Sequence, residues 1–429
     1  MTWRGAVLLL APLPLVGAGA AVPALFGVGL VLMLLFGVAI AVDSRRAPGA
    51  GRLQVRRTHD EILSVGAANR ITVRVDCWGR RAAAVLRDET PLSLHPSQTV
   101  WRLTIPGTVE YTVSPRARGV AEFGRVAIRS EGPMRLGWRQ ATLRLERRVP
   151  VDADLTAVRA YEALARRGQL AELGLRTLRL RSEGTEFERI RDAVPDDPMR
   201  SINWRATART GRLMATELIP ERAQPLVVCL DHGRLMGVGA GDLTKLDHAV
   251  NAALLLVHVA LRSGDRAGML GFADHVTASL VPRAGAAQLR RFLDTVRPLF
   301  PGETESDYDE AFAYFSRWQR RRALVVIFTD VLDPDQGRAL LRQCARLRRR
   351  HLTLVVSVRD PALDDAARRP PRRSEDAYGR AVAAGLLADR QDTLQLLRRS
   401  GVDTIDADAR TLSPRVVNRY LEMKRHARI

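Results

Sequence analysis

Residues 225–231 read PLVVCLD, and this stretch decides the fold of the larger part of the chain. It is an unbroken apolar run that ends on an acid, Asp231, and a second run of the same kind, ALVVIFTD, ends on Asp330. Strands that are apolar on both faces are typical of parallel sheets covered by helices on each side. Amphipathic segments of helical length alternate with such runs to the end of the chain. We therefore predict a doubly wound α/β domain with a parallel sheet over residues 225–429.

This alternation of strands and acids resembles a von Willebrand factor A domain. Such domains bind a divalent cation through an Asp-x-Ser-x-Ser loop after the first strand, a threonine from a later loop and an aspartate after the fourth strand. The resemblance implies Asp231, Thr304 and Asp330 as the corresponding candidate ligands. Gly233 and Leu235 stand where the two serines would be, and neither carries a hydroxyl.

The loss of two hydroxyl ligands decides what we expect of the metal. Mg²⁺ requires near-octahedral oxygen coordination, although water molecules can replace side chains. We therefore expect a degenerate site with weak or no Mg²⁺ binding, and no other cofactor. A working Mg²⁺ site, with water in place of the missing hydroxyls, is the alternative.

The segment before the first strand is the most densely charged part of the chain. Residues 186–224 read EFERIRDAVPDDPMRSINWRATARTGRLMATELIPERAQ, in which acids and arginines surround one aromatic residue, Trp204. Arginine offers a planar fork that pairs with carboxylates through two hydrogen bonds. We predict a packed, ion-paired collar within residues 156–224. The alternative is a solvated surface whose ion pairs contribute little.

The spacing of residues in this segment resembles the signature of the bacterial domain of unknown function 58 family. The positions that carry it and form the candidate collar site are Glu186, Phe187, Arg191, Asp197, Arg200, Trp204, Thr207, Arg209 and Glu217. The match departs in one turn, where family members place an aromatic residue and a glycine and this chain has Ala193 and Asp196. The resemblance implies a membrane-anchored protein and, as partner, an AAA+ ATPase of the MoxR type.

The N-terminus carries the membrane signal. No charged residue occurs between Arg4 and Asp43, and one helix over that stretch would exceed the hydrocarbon core of about 30 Å. Prolines and glycines interrupt the run near its middle, which favours a transmembrane hairpin over residues 1–45. Arginines on both flanks predict an inner (plasma) membrane protein with the bulk of the chain in the cytoplasm. A cleaved signal peptide followed by a single anchor is the alternative.

Residues 51–155 carry the pattern of an antiparallel β domain. Segments such as ITVRVDCW and VEYTVS alternate apolar and polar residues, with glycine and proline between them. We predict a small β-sandwich of structural role. An RG turn at Arg118 and the PMRLG turn at 133–137 extend the family resemblance into this region.

Composition narrows the function classes. The formal net charge is +20, but nearly all of it is arginine, spread over the chain and not interleaved with aromatic residues, which disfavours nucleic-acid binding. The cysteines Cys77, Cys229 and Cys344 form no CxxC pair and are typical of a reducing compartment. HExxH, GxSxG and GK[ST] motifs are absent from the sequence, so we expect no enzymatic activity.

The sequence thus predicts a membrane-tethered protein-interaction module. The family resemblance implies that the protein is an adaptor for a MoxR-type AAA+ ATPase in chaperone-like assembly or maturation. A divalent-metal-dependent ligand-binding receptor that uses Asp231 and Asp330 is the first alternative. A carboxylate-dependent hydrolase ranks third, because no nucleophile and base can be paired. No small-molecule substrate is indicated.

Overall fold

The computed structural model describes residues 1–79, 81–167, 169, 175, 187–194, 197, 199–219 and 224–426, some of them by backbone alone. The chain divides into two compact units, Met1–Asp154 and Leu155–Ile429. The helices of the described ranges are α1 (Trp3–Leu10), α2 (Leu13–Ala18), α3 (Pro23–Arg46), α4 (Leu155–Arg167), α5 (Trp204–Thr210), α6 (Lys245–Arg262), α7 (Ala286–Val296), α8 (Tyr308–Trp318), α9 (Pro334–Leu347), α10 (Pro361–Arg368), α11 (Ser374–Arg399) and α12 (Ala409–His426).

The strands of the first unit are β1 (Leu53–Thr58), β2 (Leu63–Ser64), β3 (Asn69–Cys77), β4 (Ala82–Asp88), β5 (Val100–Ile105), β6 (Gly107–Val113), β7 (Gly119–Phe123), β8 (Val126–Glu131), β9 (Trp138–Leu143) and β10 (Arg147–Asp152). The strands of the second unit are β11 (Phe187–Asp192), β12 (Met214–Ile219), β13 (Pro225–Asp231), β14 (Gly239–Ala240), β15 (Leu243–Thr244), β16 (Arg266–Phe272), β17 (Val276–Arg283), β18 (Leu324–Phe328), β19 (Leu352–Arg359) and β20 (Asp403–Asp408).

The first unit is built mainly from antiparallel sheets. Their strand orders are β1-β3-β6, β5-β4-β8-β9 and β2-β10-β7. Among the described strands of this unit, only the short β2–β10 pair is parallel. The alternation seen in the sequence becomes alternating burial: Ile71, Val73 and Val75 of β3 are fully buried, and their sequence neighbours face outward. Each strand therefore gives one apolar face to the core and one polar face to solvent.

The N-terminal helices are apolar, and one of them is long enough to cross a membrane. Within the described part of the chain only α3, with 24 residues, meets that requirement, whereas Trp3–Ala18 is shorter. Helices α1 and α2 pack along α3. At Gly29 a Cβ atom would lie 2.7 Å from Val16 Cγ2, so glycine permits the close approach of α2. An apolar N-terminal helix is thus present, and the transmembrane hairpin remains a prediction.

Both ends of this helical segment are attached to one turn of the first unit. Asp43, near the end of α3, is buried and accepts hydrogen bonds at 2.8 Å from the backbone N–H groups of Met134 and Leu136. At the other end, the Thr2 hydroxyl donates to the Arg135 carbonyl at 2.6 Å, and its backbone N–H to the Leu136 carbonyl at 3.0 Å. The turn that the sequence resemblance singled out, 133–137, therefore joins the apolar helices to the sheets.

A six-stranded mixed sheet forms the centre of the second unit, with the order β17-β16-β13-β18-β19-β20. All its strands run parallel except β17, which pairs antiparallel with β16. The prediction of a wholly parallel sheet was therefore wrong at this edge. Only Ala273–His275 connect β16 to β17, and a parallel crossover needs a dozen or more residues.

The core of the second unit lies where helices cover this sheet. Side chains of β13 and β18, including Val227, Cys229 and Ile327, are fully buried against Phe312 and Phe315 of α8. Cys344 is also buried, and burial raises the pKa of its thiol to about 12. Cys229 and Cys344 thus act as small apolar side chains.

The polar segment between β19 and the body of α11 is partly helical. Residues 360–376 are rich in arginine and proline, yet α10 and the start of α11 lie within them. The Asp360 carboxylate accepts a hydrogen bond from the Ala362 N–H at 2.9 Å, and Pro361 occupies the first helical position. An N-cap aspartate followed by proline favours a helix start, and the arginine-rich composition hid this signal.

Candidate functional site at the carboxyl edge of the sheet

The candidate site lies where the strand order of the six-stranded sheet reverses. Strands β13 and β18 are neighbours, and the chain leaves them toward opposite sides of the sheet. Asp231 is the last residue of β13, and Asp330 follows the end of β18. Such a switch point leaves a crevice at the carboxyl ends of the strands. The structure thus brings Asp231 and Asp330 to the same edge.

Neutral donors surround Asp231. Its Oδ1 accepts hydrogen bonds from the Gly233 N–H at 2.8 Å and the Ser306 hydroxyl at 2.5 Å. Its Oδ2 accepts from the Thr329 hydroxyl at 2.5 Å, and the Tyr308 hydroxyl lies 3.4 Å away. Burial raises the pKa of Asp231, although these hydrogen bonds oppose the shift. Both carboxylate oxygens are therefore used inside the fold.

Asp330, in contrast, is held by cations. Its Oδ2 accepts a hydrogen bond from the Lys245 ammonium at 2.5 Å, and neither side chain is exposed to solvent. Its Oδ1 accepts from the Arg390 guanidinium and from the Ser357 hydroxyl, the latter at 2.9 Å. Arg390 also pairs with Asp406 at 2.8 Å. Asp406 pairs in addition with Arg359 at 3.4 Å, so Asp330 belongs to a network of alternating acids and bases whose buried centre is Lys245, Asp330 and Arg390.

Local sequence fixes the cations of this cluster. Lys245 is the first residue of α6, whose N-terminus is capped by Thr244 in a reciprocal pair with Asp247. This capping box sets the start of the helix and places the lysine stem over the end of β18. Arg390 extends from the middle of α11, and burial alone would lower its pKa, but the charges of Asp330 and Asp406 raise it. Arg390 therefore stays charged.

Sequence reasoning missed both Lys245 and Arg390. A signal for Lys245 was nonetheless present, because only two of the 67 basic residues are lysines. The other one, Lys424, also pairs with a buried aspartate, Asp265, at 3.1 Å. A rare residue type placed twice against buried carboxylates indicates a requirement for a compact ammonium. Arg390 had no such signal among its many arginine neighbours.

Thr304 does not take the position that the resemblance implied for it. Its side chain is exposed, and its backbone carbonyl accepts a hydrogen bond from the Arg234 N–H at 2.8 Å. The hydroxyl that reaches Asp231 belongs to Ser306. A Cβ atom on Gly233 would overlap the Ser306 oxygen, so Ser306 fills the space of a side chain at 233. Ser306, two residues after Thr304, thus supplies the hydroxyl that the resemblance implied for Thr304.

The edge offers no ready-made metal cage within the described residues. These contain no group of three or more histidine, cysteine or acidic side chains that could hold a metal ion. The oxygens of Asp231 and Asp330 accept hydrogen bonds from protein donors in the positions where a cation would bind. A general base needs an available lone pair facing a substrate, and at these two carboxylates the geometry directs the lone pairs inward.

The loops that follow β13 and α7 carry exposed side chains, and the Arg234 N–H joins them by donating to the Thr304 carbonyl at 2.8 Å. We call the surface of these loops the edge surface, and its residues are Arg234, Val238, Phe300, Thr304 and Glu305. Arg234 and Glu305 form an ion pair at 2.7 Å, with more than half of each side chain exposed. Phe300 is 50% exposed. The surface combines an apolar ring with paired charges, a mixture typical of protein contact sites.

The candidate collar is a paired hairpin carrying a short helix. Strands β11 and β12 pair antiparallel over their whole length, although the segment did not resemble a strand in sequence. Arg191 of β11 pairs with Asp197 through two hydrogen bonds of 2.8 and 2.7 Å. Asp197 also accepts from the Val194 N–H, and the bonds from Arg191 and Val194 lower its pKa. This arginine–carboxylate fork is the part of the collar that the structure forms.

The remaining collar residues do not form the packed network that we expected. Trp204 is 61% exposed at the start of α5, and Arg209 is exposed near its end. The Thr207 hydroxyl accepts a hydrogen bond from the Met214 N–H at 3.0 Å, which ties α5 to β12. The prediction of packing was therefore wrong for Trp204 and Arg209, because the short helix meets β12 through another face.

Four collar positions are described less fully or lie outside the described ranges. Phe187, Arg200 and Glu217 are described by backbone only, with Phe187 opposite Ile219 in the β11–β12 pair. Glu186 lies outside the described residues. The ion pairs predicted for Glu186 and Glu217 remain predictions.

A family model matches part of the second unit. Residues 189–367 match the family described as "Protein of unknown function DUF58". The chain contains a region of this family. The resemblance seen in the sequence is confirmed for that stretch, which includes most of the collar and the carboxyl edge of the sheet.

Curated relatives match over a stretch of similar length. "Uncharacterized protein Rv1480" of Mycobacterium tuberculosis (strain ATCC 25618 / H37Rv) and "Uncharacterized protein Mb1516" of Mycobacterium bovis are each 30% identical over 181 residues, 42% of this chain. The chain spans 56% of the length of these relatives.

Two solved structures are similar at low scores. The conserved hypothetical protein BatB from Bacteroides thetaiotaomicron matches with a TM-score of 0.31 and 14% identity, over 48% of this chain and 100% of that one. An uncharacterized membrane spanning protein from Vibrio fischeri matches with a TM-score of 0.17 and 15% identity, over 48% and 98%. Scores of this size do not bear on the fold.

Proposed function

We propose that this protein is a membrane-tethered interaction module that binds a protein partner through the edge surface and performs no chemistry itself. Its second unit is, in this proposal, a von Willebrand factor A-like domain. The strand order supports this reading, because the sheet reverses between its first and fourth strands and carries one antiparallel edge strand. An aspartate at the end of each of these two central strands supports it further.

One observation carries the proposal: the carboxylates at the switch point are closed off by internal donors, while the loops around them are exposed. Asp231 and Asp330 are buried to 3% and 1% exposure, whereas Phe300, in the loop that follows α7, is half exposed. A catalytic carboxylate must reach its substrate, and these two do not. An apolar ring beside a paired Arg234–Glu305 rim can instead form the centre of a protein contact.

We propose a MoxR-type AAA+ ATPase as the partner, with this protein as its adaptor in chaperone-like assembly or maturation. Support comes from the resemblance to the domain of unknown function 58 family and from the family match over residues 189–367. The apolar helix α3 supports a membrane tether, which would bring the recruited ATPase to the bilayer. The membrane hairpin with a cytoplasmic second unit belongs to this proposal.

Affinity purification of the full-length chain from native membranes tests the proposal. We expect a MoxR-type ATPase to co-purify with the wild type. Phe300→Asp should reduce its recovery about tenfold, the effect of losing roughly 1.4 kcal/mol of binding free energy. The matched control is Val281→Asp, an equally exposed apolar position near the far end of β17. No ATPase with the wild type, or equal losses in both variants, would overturn the proposal.

A further inference from the structure

We propose that the Lys245 ammonium is the resident cation of the carboxyl edge: it occupies the place of a bound divalent ion, so the edge is built to function without metal. The inference concerns how the proposed interaction site is held in shape. Its consequence for partner binding rests on the proposed function, whereas the cation assignment itself does not.

The position of the Lys245 ammonium excludes a metal ion from Asp330. Lys245 Nζ lies 2.5 Å from Asp330 Oδ2, and both side chains are completely buried. Protein carboxylates coordinate Mg²⁺ at about 2.0–2.1 Å and Ca²⁺ at about 2.3–2.6 Å. The ammonium therefore stands in the volume that a divalent ion on this oxygen would need. The lysine and a metal ion exclude each other at Asp330.

The second step is the charge balance. Asp330 pairs with Lys245 and Arg390, and Asp406 pairs with Arg390 and Arg359, so each carboxylate already has two cationic partners. A divalent cation added to this cluster would bury uncompensated positive charge, which is strongly unfavourable. Removal of the Lys245 ammonium would instead leave Asp330 with Arg390 as its remaining cationic partner and with an adjacent cavity. The cluster thus rejects a metal while Lys245 is present and attracts one when it is absent.

The third step is the choice of lysine. In a chain with 67 lysine and arginine residues, only positions 245 and 424 are lysine, and both pair with buried aspartates. An ammonium is a compact charge on a flexible stem, whereas a guanidinium is a broad planar fork. Position 245 therefore carries the more compact of the two basic groups. Lys424 provides a matched control site in the same chain.

The consequence for recognition follows from burial. Because the ammonium is fully buried, a carboxylate of a partner cannot reach it. Recognition must then use the exposed side chains of the edge surface, Phe300 and the Arg234–Glu305 pair among them. The partner that fits this surface presents an apolar side chain flanked by polar groups. Its binding should not respond to chelators.

The experiment compares the full-length wild type in detergent with Lys245→Ala and the control Lys424→Ala. Each protein is first treated with EDTA and then titrated with Mg²⁺ and with Ca²⁺ by calorimetry, and melting temperatures are recorded with and without the ions. We expect Lys245→Ala to gain saturable one-site binding and to melt at a higher temperature with the ion. Wild type and Lys424→Ala should show neither effect.

Two results would overturn the inference: wild type binding a divalent ion as tightly as Lys245→Ala, or a folded Lys245→Ala that binds none. If Lys245→Ala does not fold, the double variant Lys245→Met/Asp330→Asn decides. It removes both charges at similar size, so it should fold and ignore divalent ions, and its failure to fold would count against the inference. Partner capture by the untreated wild type is a separate readout. Absence of the ATPase from the untreated wild type would reject the proposed function without affecting the cation assignment.

Discussion

At the scale of single residues, Asp231 and Asp330 share one sheet edge but lie in different chemical surroundings. The donors to Asp231 are hydroxyls and a backbone N–H, whereas those to Asp330 include an ammonium and a guanidinium. Hydroxyls can rotate and also accept hydrogen bonds, so the surroundings of Asp231 can adapt to a neutral side chain. The ammonium and guanidinium around Asp330 can only donate, so they cannot adapt to a neutral side chain. Neutralisation should therefore be tolerated at Asp231 and damaging at Asp330.

His351 should give the fold a measurable pH dependence. Its ring packs edge-on against Phe315, with centroids 5.3 Å apart, and burial together with the charges of Arg350 and Arg322 lowers its pKa to about 4. A pKa below the unfolded value of about 6.5 means that the fold favours the neutral ring. The stabilisation is complete above that value and is lost as the pH falls toward 4. The free energy of unfolding should drop by on the order of 1–3 kcal/mol over this window.

Urea unfolding of the full-length chain in detergent at pH 7 and pH 4.5 measures this effect. His351→Gln should remove the contribution of His351 to the drop, since glutamine does not titrate there, while His232, His248 and His258, whose pKa values burial also lowers, keep theirs. His275→Gln, at an exposed histidine, is the matched control and should keep the wild-type drop. Equal pH slopes for wild type and His351→Gln would contradict the prediction.

At the scale of elements, the joint between α3 and the turn 133–137 should depend on Asp43. Its carboxylate accepts three backbone N–H groups of this turn. In Asp43→Ala these donors lose their partner, which should cost about 2–4 kcal/mol of stability. Thermal unfolding in detergent measures the cost, and hydrogen exchange of residues 133–137 shows whether the joint opens. Asp76→Ala, at a more exposed aspartate of the same unit, serves as control. Unchanged exchange in Asp43→Ala would disprove the joint.

Two arginines of the collar should differ in what they contribute to its structure. Arg209 is exposed on α5, so Arg209→Ala should leave the urea midpoint unchanged. Arg191→Ala removes both hydrogen bonds to Asp197 and should speed hydrogen exchange at the Val194 N–H, which Asp197 also accepts. Exchange mass spectrometry of the peptide containing Val194 compares the two variants. A lower urea midpoint for Arg209→Ala would contradict this prediction and support the packed collar that the sequence suggested.

At the scale of the whole molecule, the proposed hairpin fixes the topology. Arg4 and the arginines that follow α3 flank the apolar segment and favour the cytoplasmic side at both ends. A reporter that is active only in the cytoplasm should therefore be active when fused after Ile429. A reporter that is active only outside the cytoplasm should be silent there. The reverse pattern would favour a single anchor or a cleaved signal peptide.

Much of the fold followed from local patterns in the chain. Unbroken apolar runs marked β13 and β18, period-two alternation marked β3, and the charge-free stretch marked the apolar helices. These patterns are reliable because burial of a whole face is repeated along an element. The antiparallel direction of β17 was not foreseen, since it depends on the length of one connection. The β11–β12 hairpin was missed because charged side chains concealed its strands.

The candidate site, like the fold, could be predicted from the sequence only in part. The sequence by itself determined that Asp231 and Asp330 end buried strands, and hence that both lie at the carboxyl edge of the sheet. Only the tertiary structure decided their partners: Lys245 and Arg390 lie 85 and 60 positions from Asp330 in sequence, and Ser306 lies 75 from Asp231. Strand ends follow from local hydrophobicity, which each segment carries within itself. The neutralisation of a buried charge depends on which distant helices pack against the sheet, and no local pattern encodes that choice.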